Sequence, residues 1–198
     1  MTVEADADGV ERRLRAGLLV CPECSGVLRG WGHARGRVLR GPEGLLWMRP
    51  RRCRCAGCGV TQVLLPVVAL LRRADAAVVI GAALAAKAGG SGYRPIAAEL
   101  GRPVETVRGW LRRFAGRAEA VRAVFTGWFA ALDPDPVMPE PAGSVWADAI
   151  TAITAAAGAV ATRFGLGAVA PWEVVVAVSG GRLLAPGWPP GSINTSCP

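Results

Sequence analysis

Four cysteines form two pairs with the same internal spacing. Cys21 and Cys24 enclose two residues, as do Cys55 and Cys58, and thirty residues separate the pairs. A Cys-x-x-Cys turn presents two thiolates to one side of a metal ion, and structural zinc takes four ligands in a tetrahedron. A glycine closely follows each pair and permits a tight turn beneath the sulfurs. The spacing predicts structural Zn²⁺ on four thiolates, with no position left for a catalytic water.

Two further residues could compete for the metal, and one more cysteine lies near the C-terminus. Cys53 lies two positions before Cys55 in an extended segment, and we expect it to be a small apolar strand residue. His33 could replace one thiolate, although a lone histidine in a Gly/Arg-rich segment is more often solvated. Cys197 is expected to be a free thiol. The alternative for the tetrad is a redox-active or incidental cysteine cluster.

The basic charge is confined to one part of the chain. Residues 20–125 contain 18 basic and 6 acidic residues, whereas residues 126–198 contain 2 and 5. A local excess of this size favours binding to phosphates, with a solvated basic surface as the alternative. Residues 149–162 are too mildly apolar to span a bilayer, and no signal peptide is visible, so we expect a cytoplasmic protein without a membrane partner.

A helix-turn-helix pattern follows the cysteines. Residues 74–90 predict an Ala-rich helix, and residues 93–114 read YRPIAAELGRPVETVRGWLRRF. Gly101 separates two short amphipathic helices, and Pro103 suits the first turn of the second one. Such a unit places its second helix in the DNA major groove. An ordinary αα-hairpin with surface arginines is the alternative.

The second helix of this unit has an outward face that could contact DNA. Arg108 and Arg112 lie one turn apart and suit guanine edges or phosphates. Arginines beside the helices and in the segment before the second cysteine pair are expected to bind phosphates. The predicted DNA-binding residues are Arg94, Arg102, Val104, Glu105, Arg108, Gly109, Arg112, Arg113, Arg51, Arg52 and Arg54.

The segments CPEC, RPRRCRCAGCGVTQVLLP and IAAELGRPVETVRGWLRRF carry a family resemblance over about residues 20–125. Together they resemble the N-terminal zinc ribbon and helix-turn-helix of bacterial insertion-sequence transposases, and small actinobacterial proteins associated with mobile elements. The resemblance implies binding to transposon-end or promoter DNA. It also agrees with Cys53 lying outside the tetrad, because that position is commonly aromatic or aliphatic in such proteins.

The last third lacks a catalytic pattern. Transposase chemistry needs three carboxylates around two Mg²⁺ ions, but three of the five acids after residue 126 lie in the Pro-rich segment LDPDPVMPEPAG. We therefore expect no catalysis by this chain. Two apolar stripes with a 3.5-residue period predict helices over 104–132, unless Gly116 breaks the first, and over a segment capped by Ser144. They could pack within the chain or form the seam of a homodimer.

These observations predict a mainly α protein with a small β zinc ribbon. The predicted divisions are a flexible N-terminus (1–18), the zinc ribbon (19–66), a helix-turn-helix domain with an extended last helix (67–132), a Pro-rich linker (133–143), a C-terminal helical region (144–185) and a disordered tail (186–198). The predicted function is an accessory or regulatory DNA-binding protein of a transposable element, associated with the nucleoid. A transposase or ATPase encoded nearby is a further expected partner, and a protein–protein adaptor is the alternative function.

Overall fold

A computed structural model describes residues 1–190 and has a mixed composition of helices and small sheets. Within this part of the chain, seven α-helices contain about 44% of the residues. The strands come first, in the N-terminal third, and most of the helices follow. The final segment, 191–198, which includes Cys197 and most of the predicted disordered tail, lies outside the described residues.

The strands form three small sheets. The largest, the cysteine sheet, is antiparallel with the order β2–β5–β6, and β3 and β4 form a separate hairpin inserted between its first two strands. The turn GPEG closes this hairpin. The strands are β1 (Thr2–Val3), β2 (Leu28–His33), β3 (Arg37–Arg40), β4 (Leu45–Met48), β5 (Arg51–Cys55), β6 (Thr61–Val63) and β7 (Leu65–Pro66), and β1 pairs with β7 in parallel.

The N-terminal segment was predicted to be flexible, but the structure gives it β1 and a helix, α1 (Ala7–Arg15). Val10 and Leu14 are one helical turn apart and are buried with Leu28 and Cys53 of the cysteine sheet. Asp6 caps the helix by accepting a hydrogen bond from the backbone of Asp8. The two apolar residues were obscured in the sequence by the charged residues around them.

Six helices follow the strands. They share one core, which also contains Leu183 and Trp188 from the end of the described chain. The predicted disordered tail therefore begins with a buried tryptophan. The helices are α2 (Ala77–Ala88), α3 (Tyr93–Glu99), α4 (Val104–Ala115), α5 (Ala118–Leu132), α6 (Val145–Arg163) and α7 (Pro171–Ser179).

The helices α3 and α4 pack as a bihelical unit. Gly101 joins them with φ of +60°, a left-handed conformation that favours glycine. Ile96 and Ala97 of α3 are buried in the same cluster as one face of α4. The buried residues of α4 recur at helical spacing, as expected for an amphipathic helix, and are Val107, Trp110, Leu111 and Phe114.

The predicted extended helix is divided into α4 and α5. Gly116 caps the end of α4, and Arg117 is not helical, with φ of −141°. The apolar stripe continues into α5, but Phe129 is buried there whereas Trp128 is 44% exposed. A straight α-helix has 3.6 residues per turn, so a strict 3.5-residue stripe drifts off its buried face.

The C-terminal helices complete the helical core. Ser144 caps α6 by accepting a hydrogen bond from the Ala147 backbone, as predicted. The Ala-rich face of α6 packs against α5 within the chain. Phe164, which directly follows α6, is 64% exposed and does not continue this buried face. By length and composition α6 is the one helix in residues 1–190 that could cross a membrane, so the prediction that residues 149–162 are too mildly apolar to do so is not confirmed. A single weakly apolar helix is compatible with a soluble protein.

One buried carboxylate connects the hairpin to the bihelical unit. Asp75 lies just before α2, and its side chain is 3% exposed. It accepts hydrogen bonds from Arg40 of β3 at 2.7 Å and from Arg102, in the turn before α4, at 2.6 Å. Arg102 also donates to the backbone carbonyl of Gly41 at the hairpin turn. The sheet region and the helical region are therefore joined by a bridging ion pair.

Replacing Asp75 with alanine should destabilise the fold. The substitution leaves Arg102, which is 15% exposed, without its carboxylate, and an unpaired buried charge is costly. We expect a loss of about 2–3 kcal/mol in the free energy of unfolding, less than for a fully buried pair because Arg40 is partly exposed. Urea unfolding measures it. Glu119→Ala, which removes an exposed ion pair with Arg122, is the control and should change stability little; equal losses would contradict the role of Asp75.

Candidate functional site

The cysteine sheet brings the two Cys-x-x-Cys turns together. Leu28 pairs with Cys55 in the β2–β5 register, and a bridge between Val20 and Val27 closes the first turn. The two turns have the same hydrogen bonds. Cys21 N–H donates to the carbonyl of Gly26, five residues on, and Cys55 N–H donates to the carbonyl at the equivalent position of the second turn. The sequence therefore forms two similar knuckles that face each other.

The four sulfurs form a compact cluster with dimensions that suit a metal ion. All four Sγ atoms lie within 4.8 Å of one another. The Sγ atoms of Cys21 and Cys58 are 3.7 Å apart, and those of Cys24 and Cys55 are 3.4 Å apart. Zinc–sulfur bonds of 2.3 Å in a tetrahedron place the sulfurs about 3.8 Å apart. The donor set and its spacing thus fit zinc.

The residues after the second cysteine of each knuckle shape the turns. Ser25 and Gly59 occupy equivalent positions, with φ of +57° and +75°. Gly26 was expected to provide the backbone freedom of the first turn, but Ser25 adopts the left-handed conformation there. The requirement at Gly26 is instead steric, because a Cβ atom at this position would lie 3.0 Å from the Cys55 sulfur.

Backbone groups already favour a thiolate at one position. The N–H groups of Cys58 and Gly57 point at the Cys55 sulfur at 3.5 and 3.3 Å. The Cys58 N–H contributes most to lowering the pKa of Cys55, which falls to about 6. The Cys24 thiol and the Gly57 N–H contribute further in the same direction. At Cys58 the Val60 N–H lowers the pKa, but the neighbouring thiols, Cys24 first, and burial outweigh it and raise the pKa to about 12. Thiolates this close repel one another, and a bound divalent cation would offset that repulsion.

Cys53 and His33 lie outside the sulfur cluster, as predicted. Cys53 is fully buried in the apolar cluster between the cysteine sheet and α1. Burial is the main cause that raises the pKa of its thiol. His33 is exposed at the end of β2 and is not among the residues that could hold the ion.

Most of the predicted DNA-binding residues are exposed. On α4, Glu105 and Arg108 form a solvent-exposed ion pair at 3.4 Å. Gly109 is half-buried beneath Arg113, which donates to its carbonyl at 3.0 Å. The predicted residues with exposed side chains are Arg94, Val104, Glu105, Arg108, Arg112, Arg113, Arg52 and Arg54.

Two predicted DNA contacts are instead used within the protein. Arg51 pairs with Glu11 of α1 at 2.5 Å and donates to the carbonyl of Gly32 at 2.7 Å. Arg102 is held by Asp75 and by backbone carbonyls, as described above. Both arginines were predicted to bind phosphates because the acids that pair with them, Glu11 and Asp75, are distant along the chain.

Sequence reasoning also missed one exposed residue of the cysteine sheet. Trp31 lies between Gly30 and Gly32 on β2, and its side chain is 56% exposed. Glycines inside a strand pattern often mark a bulge, and this was the available signal. The guanidinium of Arg54 lies over the Trp31 ring, 5.3 Å from its centroid.

Comparisons of the chain with protein-family models, with curated proteins and with solved structures found no match. The site is therefore interpreted from its own geometry.

Removing one cysteine of the tetrad should remove the metal, whereas removing Cys53 should not. Serine at Cys24 leaves three thiolates, and the knuckles then lose a shared ligand. Zinc measured by elemental analysis should fall from about one ion per chain to near zero in Cys24→Ser. Cys53→Ser should keep its zinc; loss of metal from that variant would contradict the assignment of ligands.

A methyl group at Gly26 should also weaken the site. Its Cβ atom would lie 3.0 Å from the Cys55 sulfur and 3.3 Å from the Cys24 sulfur, so both ligands must move. Competition with a chromogenic chelator should show weaker zinc binding for Gly26→Ala than for the wild type. Gly57→Ala is the matched control, because its nearest sulfur would lie at an ordinary 3.5 Å. Equal affinities of the two variants would show that the close contact has no effect.

Proposed function

We propose that this chain is a zinc-stabilised DNA-binding protein that contacts duplex DNA through α4. The observation that carries the proposal is the two-sided character of this helix. Val107, Trp110 and Phe114 are buried against the helical core, while Arg108 and Arg112 are exposed on other sides. A helix fixed by one face and basic on its free face has the form of a recognition helix.

The exposed α4 residues suggest a division of roles. Arg108 and Arg112 are one turn apart and have the length and geometry for guanine edges. Arg94 and Arg113 lie at the sides of the unit and suit phosphates. In the DNA-free protein, Glu105 forms an exposed ion pair with Arg108. A contact between Arg108 and a base would replace this ion pair.

Zinc has a structural role in this proposal. Cys21, Cys24, Cys55 and Cys58 would hold the ion, which links the start of β2 to the end of β5. Binding energy at such a site contributes directly to folding. The chain's own residues complete the unit, because α1 covers the inner face of the cysteine sheet and the Asp75 bridge attaches the hairpin to the turn before α4.

The biological context rests on the family resemblance. A zinc ribbon followed by a helix-turn-helix resembles the DNA-binding part of insertion-sequence transposases, so we propose an accessory or regulatory role in a mobile element. The role requires no catalytic step by this chain. It implies a location with the nucleoid and a transposase or ATPase encoded nearby as a further partner.

A protein–protein adaptor is the second candidate, and one surface favours it. The β3–β4 hairpin exposes Val38, Leu45 and Trp47 on one face, of which Trp47 is 69% exposed. Exposed aromatic and aliphatic residues of this kind are typical of protein contacts. In this case DNA binding would be secondary.

Salt dependence distinguishes the two candidates, and one substitution tests the recognition helix. Duplex binding should weaken steeply between 50 and 200 mM salt, whereas an apolar protein interface should respond little. In a panel of duplexes, Arg108→Ala should reduce the preference for the best sequence by roughly 1–3 kcal/mol. Lys87→Ala, on the exposed end of α2, should leave the preference unchanged. Equal effects of the two substitutions would contradict the proposed role of α4.

A further inference from the structure

The strand β2 contains a bulge that projects Trp31 from the cysteine sheet. Gly30 pairs with Cys53 and His33 pairs with Arg51, so two residues of β2 oppose the single residue between them on β5. Gly32 has φ of +95°, which glycine adopts most readily. A bulge of this type redirects a side chain out of the regular pleat. Here the redirected side chain is Trp31, more than half of which is exposed.

The bulge is held in place from beneath. Arg51 donates to the carbonyl of Gly32 at 2.7 Å, and its guanidinium is fixed by Glu11 of α1. Gly30 has no Cβ atom, which would otherwise lie 2.5 Å from the Arg51 guanidinium. The contacts of Arg51 with Gly32 and Glu11 therefore fix the backbone that carries Trp31.

Three arginines share the outer face of the sheet with Trp31, and one of them, Arg54, lies over its ring. Arg29 lies directly opposite Arg54 in the β2–β5 register, and Arg52 is on the same face of β5. Among residues 1–190 none of the three forms an ion pair. Arg54 donates to the Gly59 carbonyl at 3.1 Å and lies over the Trp31 ring, but neither contact neutralises its charge. Like charges directly opposite on a sheet are destabilising, so a bound anion would relieve the repulsion between Arg29 and Arg54.

We propose that this surface, formed by Arg29, Trp31, Arg52 and Arg54, binds single-stranded nucleic acid. An unpaired base stacks on the face of the Trp31 indole that Arg54 leaves free, and the arginines bind the phosphates on either side of the base. An aromatic ring between cations is the combination that single-stranded nucleic acid requires, because every base has a stacking face and every nucleotide a charge. A duplex keeps its bases stacked on one another and offers no free face. This site is separate from α4 and goes beyond the proposed duplex binding.

The experiment measures binding of labelled oligonucleotides of about 12 nucleotides to the zinc-loaded full chain by fluorescence anisotropy. One arm uses oligo(dT) and the other oligo(rU), and binding of either supports the proposal. Trp31→Ala should weaken binding about tenfold, the loss expected when one stacked base is removed. Trp31→Phe keeps an aromatic face and should retain most of the affinity.

Two control variants separate this surface from other exposed groups. Trp47→Ala removes a tryptophan of similar exposure from the β3–β4 hairpin and should leave oligonucleotide affinity within about twofold of the wild type. Arg108→Ala, which tests α4, should alter duplex preference but not single-strand binding. Arg52→Ala should lower the slope of log affinity against log salt by about 0.7, the value for one phosphate on a single strand.

Three results would overturn the proposal. One is that the zinc-loaded wild-type chain binds neither oligonucleotide. Another is that Trp31→Ala and Trp47→Ala weaken binding equally, which indicates nonspecific charge attraction. The third is that Trp31→Ala binds as tightly as the wild type, which leaves the surface for a protein partner. Retained folding of each variant, followed by circular dichroism, ensures that a loss of affinity reflects the surface itself.

Discussion

Four sulfurs within 4.8 Å of one another are the constraint on which the N-terminal third depends. They meet because Leu28 pairs with Cys55, which also sets the register of β2 against β5. Four close thiols repel one another once ionised, and a divalent cation both removes that repulsion and fixes the two knuckles. The same register buries Cys53 against α1 and places Trp31 in the bulge. One proposed ion thereby organises the inner packing and the outer surface of a sheet that is only three strands wide.

The sheet region is linked to the helices through buried polar contacts as well as apolar packing. Asp75 holds an arginine from the hairpin and another from the turn before α4, and backbone hydrogen bonds join β3 to residues 74–76. The orientation of the bihelical unit is thus set from both sides, by the helical core and by this bridge. The two proposed nucleic-acid surfaces, α4 for a duplex and the outer sheet face for an unpaired strand, lie on the two regions that this bridge joins.

Local patterns in the sequence predicted much of this fold. The knuckle spacing, the helix break at Gly101 and the Ser144 cap all follow from interactions within a few residues, and each is present. The errors arise from distant partners. Arg102 was assigned to DNA because its partner, Asp75, lies 27 residues away. The N-terminus was predicted to be flexible because the two apolar residues of α1 are buried only by packing against the cysteine sheet. Pairing across the fold cannot be inferred from charge or composition alone.

X-ray absorption spectroscopy at the zinc edge tests the central claim most directly. The purified full chain should contain about one zinc ion with four sulfur neighbours at about 2.3 Å. That result is the one expected if Cys21, Cys24, Cys55 and Cys58, whose sulfurs lie within 4.8 Å of one another, share a single ion. A nitrogen or oxygen neighbour, fewer than four sulfurs, or a chain that folds without metal would contradict the account.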